Sequence, residues 1–196
     1  MLLRRWLITV LLCTGTASVL ADFKAGGDAY QRGDYKTAAA EFLPLAEKGD
    51  HRAMYALGSM YAAGNGVPQD FKMAMKWFRA AANYGRPDAE YKLGLMYLEG
   101  IGTERDPRRA INLIGKSAQQ GYVDALYQVG KMYVEGTGVQ QDNVQAASWL
   151  NLAVEKEHAD AGPLLATITP KMTPEQLHEA KLLSESHKAK FNNPQQ

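Results

Sequence analysis

From Asp50 onward, apolar and polar positions alternate with a helical period, in segments of about a dozen residues separated by glycine. Between Ala53 and Ala63, the residues Met54, Leu57, Gly58 and Tyr61 fall at i, i+3, i+4 and i+7, which is one face of a helix. After a short loop, Ala74, Trp77, Phe78 and Ala81 show the same spacing. The two segments predict a helical hairpin, and a shift of 36 residues reproduces it twice. Blocks 53–88, 89–124 and 125–160 align without a gap, and ten positions are identical in all three. One such unit cannot bury its apolar face alone, so the period predicts a stack with a continuous core. No segment with a strand period competes.

The shared positions explain the hairpin. Gly58, Gly94 and Gly130 stand mid-helix, where glycine costs about 1 kcal/mol relative to alanine. Three copies at one phase predict close approach of the partner helix, which a Cβ would block. Gly64-Asn65-Gly66 and its two copies end the first helix. Asp70, Asp106 and Asp142 sit where the second helix needs an N-cap. Gly85 and Gly121 stop that helix, and Glu157 takes the glycine's place in the last block.

The stretch from Ala53 to Trp77, Ala-x-Tyr-x-Leu-Gly-x-x-Tyr-x-x-Gly-x-Gly-Val-x-x-Asp-x-x-x-Ala-x-x-Trp, resembles the Sel-1-like repeat (SLR), a relative of the tetratricopeptide repeat. Departures are mild: Ile101 and Thr103 alter the loop of the second block, and Leu113 replaces its tryptophan. The resemblance implies an all-α fold, a right-handed α-solenoid of helix-turn-helix repeats. It divides the chain into three repeats at 53–88, 89–124 and 125–160. Residues 22–52 read as a shorter helical pair of the tetratricopeptide kind. Residues 161–191 read as C-terminal capping helices, and 192–196 as a tail. In the last helix, Thr173-Pro174-Glu175-Gln176 is a capping box with a first-turn proline. Leu177, Ala180, Lys181 and Ser184 mark its expected inner face.

The first 21 residues change the overall totals. Arg4 and Arg5 precede an apolar run that ends in Val19-Leu20-Ala21, the form of a secretory signal with cleavage after Ala21. The run is interrupted by Thr14, Gly15, Thr16 and Ser18, and falls short of the about 20 apolar residues that span a bilayer. Cys13 does not mark a lipoprotein, because Leu12 precedes it where a small residue is wanted. Cleavage would remove the single cysteine, so neither a disulfide nor a thiolate metal site is expected. It would also move the formal charge of +1 to slightly acidic, leaving no polybasic field for nucleic acid. The expected product is a periplasmic or secreted monomer with no membrane anchor.

No catalytic, metal or cofactor site emerges. Gly115-Lys116-Ser117 resembles the end of a phosphate loop, but Ala110 stands where that loop needs its first glycine. His178 and His187 lie on opposite sides of a helix and cannot share a metal. No serine has a histidine and acid in a recognisable order. The residues therefore point to a binding protein and not to an enzyme.

In related superhelical repeats the first helices line the concave side, and the resemblance implies the same here. The faces left outside the core stripe carry Tyr55 and Ser59 in the first repeat, Tyr91, Leu95 and Leu98 in the second, and Tyr127, Lys131 and Val134 in the third. These eight are the candidate protein-binding groove. The tyrosines are identical and so suit packing between units, whereas Ser59, Leu95 and Lys131 vary and suit partner choice. The function this implies is an exported scaffold or adaptor in the bacterial cell envelope that holds a protein or peptide partner. The alternative is a secreted or periplasmic binder of cell-wall glycan or a host factor.

Overall fold

A computed structural model describes residues 23–192, which form ten α-helices, one short 3₁₀ turn and no strand. The expected export leader at 1–21, and all but the first residue of the tail at 192–196, lie outside the described residues. The helices are α1 (Phe23–Gln31), α2 (Tyr35–Glu47), α3 (His51–Ala63), α4 (Phe71–Ala82) and α5 (Pro87–Glu99). They continue as α6 (Pro107–Gln119), α7 (Val123–Glu135), α8 (Asn143–Glu155), α9 (Ala161–Ile168) and α10 (Pro174–Asn192). Each helix up to α9 packs on its neighbours in sequence, so hairpins α1–α2, α3–α4, α5–α6 and α7–α8 stack into an all-α solenoid. The contacts that bury the apolar faces lie between adjacent units, as a one-dimensional array requires.

The core is built on small residues that let helices approach. Ala53, Ala74, Ala89, Ala110, Ala125 and Ala146 are fully buried. A Cβ on Gly94 would lie 2.5 Å from Ile114 Cγ1, and those on Gly58 and Gly130 would lie 2.7 Å from Phe78 and Leu150. The mid-helix glycines are therefore the contact points of each hairpin, as their phase predicts. Gly26 against Phe42 extends the device to the α1–α2 hairpin, where a Cβ would come within 2.6 Å of the ring.

Asp70 caps α4 by accepting from the amides of Lys72 (2.9 Å) and Met73 (3.0 Å), Asp142 caps α8 in the same way, and Asp106 caps α6 through the Arg109 amide alone (3.0 Å). The backbone N–H of each cap donates to the carbonyl of Tyr61, Tyr97 or Tyr133, which closes the loop onto the helix before it. The second glycine of each loop serves a contact between units. A Cβ on Gly66 would overlap the backbone of Tyr35 at the start of α2, and one on Gly102 would lie 2.9 Å from the Phe71 backbone. Gly138 stands in the same relation to Pro107.

The end of the array departs from its pattern. The helix α9 stops at Ile168, where Thr169–Lys171 tightens into a 3₁₀ turn around Pro170. The capping box of α10 is formed: Thr173 N–H donates to Gln176 Oε1 at 2.9 Å, and Gln176 N–H to Thr173 Oγ1 at 3.3 Å. Its inner face matches the expected one at Ala180 and Ser184 and departs from it elsewhere. Leu177 and Lys181 are exposed, and Ala180, Leu183, Ser184, His187 and Phe191 turn inward. The reason is the partner: α10 lies chiefly along α8, and Ser184 Oγ donates to Ser148 O at 2.9 Å. The imidazole of His187 stacks on Trp149 with ring centroids 3.8 Å apart.

Candidate functional site

All eight candidate groove residues are half-buried on the first helices. Their surroundings divide them. Tyr55, Tyr91 and Tyr127 each pack on a residue that precedes the next first helix. The Arg86 guanidinium lies 5.2 Å above the Tyr55 ring, Tyr122 lies 5.3 Å from Tyr91, and His158 stacks on Tyr127 at 4.3 Å. The three packing partners share one position of the repeat but differ in type, so the identical tyrosines are bedded on variable neighbours. This supports the packing side of their two readings.

Charge follows the same line. Arg86 Nη2 donates to Asp88 Oδ2 at 2.5 Å, and its Nη1 lies 3.3 Å from His51 Nδ1. Asp124 Oδ1 is 3.9 Å from His158 Nε2. Burial, with Asp124 and Glu99 nearby, pushes the Tyr91 phenol up to about 12. Burial, with Asp124 and then Asp88 among its neighbours, also pushes Tyr122 up to about 12. Both phenols thus stay neutral at ordinary pH and present hydroxyl donors beside two carboxylates.

Ser59, Leu95 and Tyr55 line open space. A cavity of about 360 Å³ between α3 and α5 is bounded by Ser59, Ala62, Phe78, Leu95 and Ile101, with Lys92 and Glu99 at its edge. A second, of about 310 Å³, lies between α1 and α3 and is bounded by Gly27, Tyr30, Phe42, Tyr55 and Ser59. Ser59 borders both, and its hydroxyl donates to Tyr55 O at 3.1 Å. The structure thus brings Tyr55, Ser59 and Leu95 together around two adjoining hollows. Leu98 and Tyr91 pack against the core alongside. Tyr127, Lys131 and Val134 lie on α7 and border neither hollow, and Lys131 faces Glu135 at 3.8 Å. Phe78, which the sequence places in the core stripe of its helix, and Phe71 and Lys92, which no motif marks, complete the larger hollow with Leu95. They sit on other helices or at other phases, and a face-by-face reading does not gather them.

Among the described residues, no group of three or more histidine, cysteine, aspartate or glutamate side chains is placed to hold a metal ion. No helix among them is long and apolar enough to cross a membrane.

Comparisons with known proteins agree with this architecture. Residues 51–85, 87–122 and 123–158 each match the family model described as Sel1 repeat. The crystal structure of a Sel1 repeat protein from Oxalobacter formigenes superposes with a TM-score of 0.71 at 26% identity, over 75% of this chain and 60% of that one. The structure of c5321, a protective antigen present in uropathogenic Escherichia coli strains and displaying an SLR fold, gives 0.73 at 27% identity. That match covers 85% of this chain and 38% of the antigen, so the chain spans less than two thirds of the length of either neighbour. No curated protein matches.

Proposed function

The chain belongs to the Sel1 repeat family, and on that premise we propose that it is an exported scaffold of the bacterial cell envelope that holds a protein or peptide segment along its first helices. The Sel1 repeat fold is typical of protein–protein interaction scaffolds, and the family is generally non-catalytic. In this reading the protein is not an enzyme. It works by presenting shaped surface, and the partner's identity is set where the repeats differ.

The observation that carries the reading is the pair of adjoining hollows around Ser59, mainly apolar and edged by Lys92 and Glu99. A partner side chain could seat there while its backbone meets the neighbouring polar groups, the mixture found in protein contact surfaces. Photo-crosslinking residues placed at Ser59, Leu95 and Lys131 test it. Adducts with one protein at Ser59 and Leu95 support the scaffold. Adducts only with cell-wall fragments or host glycoproteins would replace it. That outcome is the second reading, favoured by one fact: a structural neighbour is described as a protective antigen. Export is tested separately, since an N-terminus at Asp22 in the envelope fraction supports it and an intact Met1 in the cytoplasm overturns it.

A further inference from the structure

Tyr61, Tyr97 and Tyr133 occupy one position of the repeat, yet their neighbours on the second helices differ. Arg79 and Arg109 flank Tyr97, whereas the same two positions hold Leu43 and Met73 in the preceding unit and Gly115 and Gln145 in the following one. Arg79 Nη2 donates to Tyr97 Oη at 2.8 Å. The Arg109 guanidinium lies over the same ring, 5.5 Å from its centroid. Tyr97 is 7% exposed, and both arginines are open to solvent.

Together with Lys116, Asn83 and Asn112, these arginines line a cleft of about 310 Å³ between α4 and α6, floored by α5. Its one carboxylate, Glu90, is buried and accepts from Gln120 Nε2 at 2.7 Å. Among the described residues Arg79 forms no ion pair, Lys116 acts on Glu90 through its charge without an ion-pair contact, and Arg109 reaches Asp106 at the rim through Nε at 3.3 Å. The terminal nitrogens of both guanidiniums are thus left as donors, apart from the one bond to Tyr97. Like charges lining one cleft repel, and an anion bound between them relieves the repulsion. Paired guanidiniums with an ammonium beside them offer more donors than two carboxylate oxygens use, and suit an anion with three free oxygens.

We propose that this cleft binds a phosphate group, carried on a small soluble molecule or on a lipid headgroup. It lies on the second helices, away from the hollows around Ser59, so it stands or falls independently of the scaffold reading. The guanidiniums bracket the phosphate oxygens, Lys116 supplies a third cation, and the Tyr97 hydroxyl, already accepting from Arg79, donates its own proton.

The test is titration of the full chain with inorganic phosphate at low ionic strength, followed by amide chemical shifts, with acetate as the competing anion. Phosphate should saturate, with the largest shifts at residues 79, 97, 109 and 116, and acetate should bind at least tenfold more weakly. Arg79→Gln and Arg109→Gln should each weaken phosphate at least tenfold, and Leu113→Trp should weaken it by crowding the wall. Arg108→Gln, an exposed arginine outside the cleft, should change it less than twofold. Retention on phosphatidate vesicles that Arg79→Gln abolishes assigns the phosphate to a headgroup. Saturable binding without retention assigns it to a soluble molecule. No saturation, equal binding of acetate, or equal loss with Arg108→Gln overturns the proposal.

Discussion

Gly66 meets the backbone of Tyr35: the space where a side chain would begin is filled by the Tyr35 carbonyl group and the amide that follows it. The loop of one unit is thereby locked to the first turn of the second helix in the unit before it. Gly66 also has φ +72°, a left-handed conformation. Gly66→Ala should therefore cost about 2–4 kcal/mol, combining backbone strain with overpacking. Gly85, with φ +75° and no atom within 4 Å of a built Cβ, carries the strain alone. Gly85→Ala should cost about 1–2 kcal/mol. Urea denaturation of the two variants measures the difference, and equal losses would show that the contact with Tyr35 contributes nothing.

Two helical glycines make a matched pair. Gly94 faces Ile114 Cγ1, whereas Gly115, inside α6, has open space where its Cβ would go. Gly94→Ala should lose about 1–3 kcal/mol through overpacking, and Gly115→Ala should gain about 1 kcal/mol through helix propensity. Melting temperatures that move in opposite directions support the account, and a gain at both sites sinks it.

Glu157 holds φ 61° at the position where the two preceding repeats place glycine. A left-handed conformation costs a residue with a Cβ about 1–2 kcal/mol, so Glu157→Gly should stabilise the chain by about 1 kcal/mol. Its side chain is exposed and nothing is lost from the core. A denaturant midpoint that stays put or falls would show that the backbone there is unstrained.

His187 lies between Trp149 and the body of α10, with Nε2 buried and unpaired. Burial, with Lys190 one turn along, holds its imidazole below the ordinary value of 6.5. The unfolded chain therefore takes up this proton first as pH falls. The contribution of His187 to stability is complete above about pH 6.5 and declines below it until the folded imidazole also protonates. Denaturation midpoints between pH 7.5 and 5 should fall, and His187→Phe should flatten the part of that slope that His187 causes. An unchanged slope in the variant would show that the ring titrates freely.

What was legible in the sequence lies at the positions the repeats share. The glycines opposite Phe78, Ile114 and Leu150, and the capping aspartates, are identical in every block, so the period exposes them and local chemistry explains them. The inner face of α10 was legible only at Ala180 and Ser184, because Leu183 and His187 turn inward only once α8 is the partner. The cleft at Tyr97 was not legible. Arg79 and Arg109 lie on different helices at positions where the repeats differ, and no period marks a residue that occurs once. Identity between units reveals the scaffold, and the surface that could distinguish one ligand from another lies in the departures.

The lock between each loop and the preceding unit also sets the step by which such a chain can grow or shrink. Its two sides are backbone on backbone, at Gly66 with Tyr35, Gly102 with Phe71 and Gly138 with Pro107, so it is indifferent to which side chains surround it. Excising 89–124 as a block would bring Gly138 onto Phe71 in the geometry that Gly102 now occupies. An excision that is not a whole number of periods would put a Cβ or a misplaced turn at the joint. Whole repeats are thus interchangeable parts, and duplication in units of one period is the change in length this architecture accepts without redesign.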